Sequence, residues 1–236
     1  MADPAPSLPL EIPDKPILST AEVVSLAEVA ARRAEKFGTL IDTLESGVNK
    51  RAADAAESLA RAGFQPQEQK SAADKAAAIA RREVVTNSSD ARWAHLKELN
   101  AAADSLATTA QLWASPVTVL ARAGLGTQER TNFQHQLDGS GIVDLRNAAL
   151  LAVATDNKVM GAVIVAILDR MPARSRPFSA QDLADKLVGE ETRGVQAAVA
   201  AVKQATQRAI NRNREYETGR VRPLDRVKLA LNKKEA

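Results

Sequence analysis

The stretch "SAQDLADKLVGEETRGVQAAVAAVKQATQRAI", residues 179–210, decides how the C-terminal half of this chain is read. Ser179 and Asp182 can cap a helix, and Leu183, Ala184 and Leu187 then share one apolar face within 180–188. "VGEET" follows, a glycine and two acids that read as a tight turn. Beyond it Val195, Val199, Val202, Thr206 and Ile210 fall on one side of a longer helix. The other side presents Arg193, Gln196, Lys203, Gln204, Gln207, Arg208 and Asn211, with no carboxylate between Thr192 and Arg214. Arginine, glutamine and asparagine pair bidentately with base edges, and lysine or arginine meets phosphates.

Moving outward, an apolar helix over 157–171 precedes this segment, and "MPARSRPFS" (171–179) joins them as a proline-bounded basic loop carrying Arg174 and Arg176. Downstream, Arg212 continues the basic side, and "REYETGRVR" (214–222) alternates around Thr218 and Gly219 as a candidate short β-hairpin. Helix, loop, short helix, turn, longer helix, hairpin: in that order residues 157–222 resemble the winged-helix form of the helix-turn-helix DNA-binding family. The resemblance implies DNA as partner, a recognition helix beginning at Thr192, and Arg220 and Arg222 in the wing. The other reading is that these are two more bundle helices with solvated arginines.

Composition places the rest. The 236 residues are 45% hydrophobic but only 3% aromatic, and alanine supplies much of the apolar count. Alanine is the best helix former and lets helices approach closely, so an all-α chain is expected. The absence of cysteine excludes disulfides and thiolate metal sites. Residues 201–236 hold ten Lys or Arg against four acids in a chain of net charge +3. A cationic end on a slightly acidic body suits a polyanion, and serves equally as a solubilising tail. The longest apolar run, "VMGAVIVAIL" (159–168), is half a membrane span, and the N-terminus lacks a basic region followed by an apolar stretch. A soluble protein of the cytoplasm, or of a virion if phage-encoded, is expected, with no membrane contact.

Along the chain, residues 1–18 form a proline-rich extended arm. Ser19 and Glu22 have capping-box spacing, and Phe37, Ile41, Leu44, Val48, Arg51 and Ala55 then alternate by four and three, as in a coiled coil. Gly63 can end this helix, and Pro66 can open a second that runs to about Val85. "TNSSD" (86–90) reads as a turn whose Ser89 caps a third helix, with a stripe at Leu99, Ala103, Leu106, Ala110 and Trp113. Residues 19–115 are therefore expected to be an elongated, coiled-coil-like bundle of three antiparallel helices, used for self-association or partner docking. A boundary near Ser115–Pro116 would open a compact helical domain, 116–222, with helices at 116–123, 128–137, 142–154 and 157–171. Residues 223–236 are a basic tail.

Catalytic signatures are missing. His95 and His135 have no metal-ligand neighbour at helical spacing, and "AGLGTQ" and "DGSG" follow no strand. Trp93 and Trp113 read as core anchors at helix ends. A non-enzyme without cofactor, metal or small-molecule substrate is expected. Two functions fit: DNA binding through the basic C-terminal region, or a structural component of a large assembly, such as a phage particle, whose arm and tail dock onto neighbours.

Overall fold

The computed structural model describes residues 18–219, and these are all-α, with no strand among them. The helices are α1 (Thr20–Arg61), α2 (Pro66–Asn87), α3 (Ser89–Ser105), α4 (Ala107–Leu112), α5 (Pro116–Ala121), α6 (Gln128–Leu137), α7 (Ile142–Ala154), α8 (Lys158–Arg170) and α9 (Ala180–Thr218). Contacts divide the chain into two compact units. Among described residues, one contains 28–103 and 202–219, and the other contains 18–27 and 104–201. By contacts the division falls after Ala103, which places α4 in the second unit, whereas the sequence suggested Ser115–Pro116. The proline-rich arm, the C-terminal tail, Arg220 and Arg222 lie outside the described residues.

The start and end signals work as their chemistry requires. Ser19 and Glu22 form the reciprocal cap of α1, with Ser19 N–H donating to Glu22 Oε2 (2.8 Å) and Glu22 N–H to Ser19 Oγ (3.3 Å). Gly63, at φ +81°, takes the left-handed conformation that closes α1, and Pro66 opens α2.

In the first unit α1 buries Phe37, Ile41 and Val48 of the expected stripe, with Leu44 among them half-buried. The stripe fades at exposed Arg51 and half-buried Ala55. "TNSSD" does not reverse the chain. Ser88 is a one-residue interruption whose N–H still reaches Val84 O (2.9 Å), while Arg92 N–H reaches Ser88 O (3.0 Å). Arg81 pairs with Glu45, the His95 ring lies against Phe37, and Arg33 pairs with Glu98. As α1 ascends, its partners descend through α3 and then α2. These two helices thus form one interrupted rod antiparallel to α1, instead of two legs of a three-helix bundle. The third leg is the end of α9: Thr206 Oγ1 donates to Leu99 O (3.1 Å), and Arg92 binds Asn213, so α9 runs antiparallel to α3.

The expected third helix also breaks, at Leu106. The buried positions are Arg92, Leu96, Leu99, Ala102, Leu106 and Thr109, not the stripe through Ala103 and Ala110. Two successive steps of three over-rotate the buried face, and a straight helix does not carry that rotation.

In the second unit α8 is the central helix, with Gly161 to Val165 and Leu168 buried, and α5, α6 and α7 pack on it. Leu183, Ala184, Leu187 and Val188 of α9 complete the same core with Leu120, Ala149 and Ala152. Gly161 permits the close approach, since a Cβ there would lie 2.3 Å from Leu187 Cδ1. Burying each such leucine, isoleucine or valine contributes about 1.5–3 kcal/mol.

Candidate nucleic-acid interface

The helix-turn-helix arrangement is not formed. Residues 180–218 are a single helix, and "VGEET" lies inside it. The reason is legible in the burial pattern: Ala184, Val188, Thr192, Val195, Val199, Val202, Thr206, Ala209, Asn213 and Tyr216 are all buried, in steps of three or four without a gap. Thr192, buried at the end of the presumed turn, turns its hydroxyl back onto Val188 O (2.7 Å). Glu191 is held by Lys158 Nζ (2.9 Å) and Thr20 Oγ1 (3.0 Å). The hydrogen bond from Lys158 leads in keeping its carboxyl below the usual range, against a smaller opposing effect of burial. The hairpin over 214–222 is absent to the limit of the described residues: Arg214 to Thr218 are helical, and Gly219, at φ +62°, ends the helix.

The second unit holds four of the expected contact residues. Arg174 is exposed on a 3-10 turn, Ala173–Ser175. Arg176 is half-buried and turned inward, donating from Nε to Met171 O (3.1 Å) at the end of α8. Arg193 is exposed, and Gln196 is exposed but spends its amide on Trp113 O (2.8 Å) and Ala114 O (3.1 Å). Arg176 and Gln196 are thus engaged by protein.

The first unit holds the other five. Lys203, Gln204, Gln207 and Arg208 are exposed on α9, together with Asn211. Their mutual contacts are local: Gln207 Nε2 to Asn211 Oδ1 (3.0 Å), and Arg208 Nη2 to Gln204 Oε1 at the long distance of 3.5 Å. Arg212 is half-buried and ion-paired with Asp42, which removes it from this face. Lys203, Gln204, Gln207, Arg208 and Asn211 therefore form an outward face of amides and cations in a stretch, Thr192 to Arg214, that holds no carboxylate. Such a face can donate to phosphate oxygens at several successive positions.

Two surfaces escaped the sequence reading. Trp93 is 57% exposed, not a core anchor, and Trp113 is half-buried. On α7, Val143, Leu150 and Leu151 are more than half exposed. The signal for α7 was present in "IVDLRNAALLAVA", which is apolar around most of the helix and so leaves an apolar side outward once one face is buried. No group of metal-ligating side chains occurs among the described residues, and none of their helices is long and apolar enough to cross a membrane. Comparison with protein families, curated proteins and solved structures finds no match for this chain.

Proposed function

We propose that the protein is a non-enzymatic nucleic-acid-associated protein that holds the phosphate backbone along the exposed face of α9 within residues 202–218. The carrying observation is that Lys203, Gln204, Gln207 and Arg208 are all exposed and, among the described residues, bound to no other helix. Because one continuous helix replaces the turn and recognition helix, the reading is of backbone contact with little base preference. Binding of a labelled duplex at low salt tests it. Lys203→Glu with Arg208→Glu is expected to abolish binding while helical content is retained, since neither side chain supports the fold. Unchanged binding by that variant, or none by the wild type, overturns the reading.

A second reading, a structural component of a larger assembly, is favoured by the outward apolar side of α7. It expects the chain to form large species that Val143→Lys with Leu150→Lys disperses in light scattering. If the variant leaves the size distribution unchanged, that reading falls.

A further inference from the structure

We propose that the outer face of α3 is a self-association surface on which a second copy of the chain packs antiparallel, about a two-fold axis at the level of Trp93 and Ala94. Asp90, Ala94, Lys97 and Ala101 are all exposed and recur in steps of four, three and four, which is the seam spacing of paired helices. The two alanines let a second helix come close. Beside this seam, Trp93 projects from α3 over a groove of about 680 Å³ between α3 and α9, to which Leu96 and Ile210 contribute apolar surface. Ile210 is itself 39% exposed.

The charges identify the occupant. Asp90 and Lys97 both line the groove and are seven residues apart, about 10 Å along the helix, too far to pair within one chain. Glu217 lines the groove at the Asp90 end, since the Arg92 that it pairs with neighbours that end. Arg214 of α9 also lines the groove, while Glu217 is taken up by Arg92, so the polarity lies along α3 itself, from Asp90 to Lys97 with Trp93 midway. Asp90 and Lys97 are equidistant from a dyad between Trp93 and Ala94. Rotation about that dyad sets each Asp90 opposite the other copy's Lys97 and brings the two Trp93 rings together at the centre. A surface whose charge pattern complements itself under two-fold rotation fits an isologous dimer. The paired rings and covered groove supply the apolar centre of the contact.

Sedimentation of the full chain without nucleic acid tests this independently of the function proposed above. The wild type is expected to be a concentration-dependent dimer. Lys97→Asp sets two acids against each other twice, and Asp90→Lys does the same with two bases. Each is expected to weaken dimerisation by at least about tenfold with helical content unchanged. Mixing the two variants restores both opposite-charge pairs, so the mixture is expected to dimerise where neither variant does. A wild type that stays monomeric, single variants that dimerise as well as the wild type, or a mixture that fails to recover would each overturn the proposal.

Discussion

Arg92 is the side chain on which the first unit is most dependent. It is 1% exposed, yet its guanidinium is fully engaged: Asn213, Glu217 (2.7 Å), Val85 O (2.8 Å) and Ser88 Oγ (3.0 Å) accept from it, and it lies 5.3 Å from the Tyr216 ring centre. It bridges the interruption at Ser88 and ties α2 and α3 to α9. Removing one partner of such a buried network leaves the others unpaired. Arg92→Ala is therefore expected to cost about 3–5 kcal/mol, read from urea unfolding. His95 acts in the other direction. Burial first, then the Arg33 guanidinium and the Lys36 ammonium, hold its pKa below the ordinary value, with Glu98 opposing them. Its Nδ1 makes no hydrogen bond. Because the folded value lies below the unfolded one of about 6.5, the fold is unaffected at higher pH and loses stability as pH falls through that value towards the folded one. His95→Gln is expected to flatten this dependence in urea midpoints compared between neutral and mildly acidic pH. An identical slope in variant and wild type would remove His95 as its source.

Among the elements, the bounds of α1 and of the short helices α5 to α8 were legible, and the continuity of α9 was not. α6 and α7 begin and end where their flanking Thr127, Asp138, Gly141 and Thr155 place them, and α5 and α8 differ from expectation only at their ends. There a local signal suffices, because caps and glycines act within one turn. α9 depended on a longer-range fact. Gly189, Glu190 and Glu191 have the composition of a turn, but a lone glycine costs a helix only about 1 kcal/mol, and the uninterrupted buried stripe outweighs it. "TNSSD" was misread as a reversal, since polar residues mark a brief interruption of a helix as readily as a turn. The exposed face of α9 was legible because it needs only helical periodicity; the engagement of Gln196, Arg176 and Arg212 was not, because their partners are distant in sequence. The continuity of α9 can be measured. The atoms nearest a Cβ at Gly189 would belong to the Asp185 and Arg193 side chains, 3.3 Å away at the closest, so Gly189→Ala is expected to stabilise the protein by up to about 1 kcal/mol. A glycine in a left-handed turn would instead make the same change destabilising. Gly161→Val, driven against Leu187 and Leu120, is expected to cost about 1–3 kcal/mol in thermal unfolding.

At the scale of the molecule, the first unit distributes its burial unevenly. No residue between 49 and 79 is buried, whereas α3 and the end of α9 carry a dense buried stripe. Amide hydrogens of 49–79 are expected to exchange well before those of α3, and equal protection would show that the tip of this helical pair is covered. The functional reading also belongs to this scale, since it concerns charge left outward after folding has used Arg92, Arg176 and Arg212 internally. The most direct measurement is the salt dependence of duplex DNA affinity for the wild type and for Lys203→Gln with Arg208→Gln. Each phosphate contact contributes about −0.9 to the slope of log affinity against log salt, so the variant's slope is expected to be shallower by about two. A slope unchanged by the two substitutions, or no binding at low salt, would contradict phosphate contact along α9.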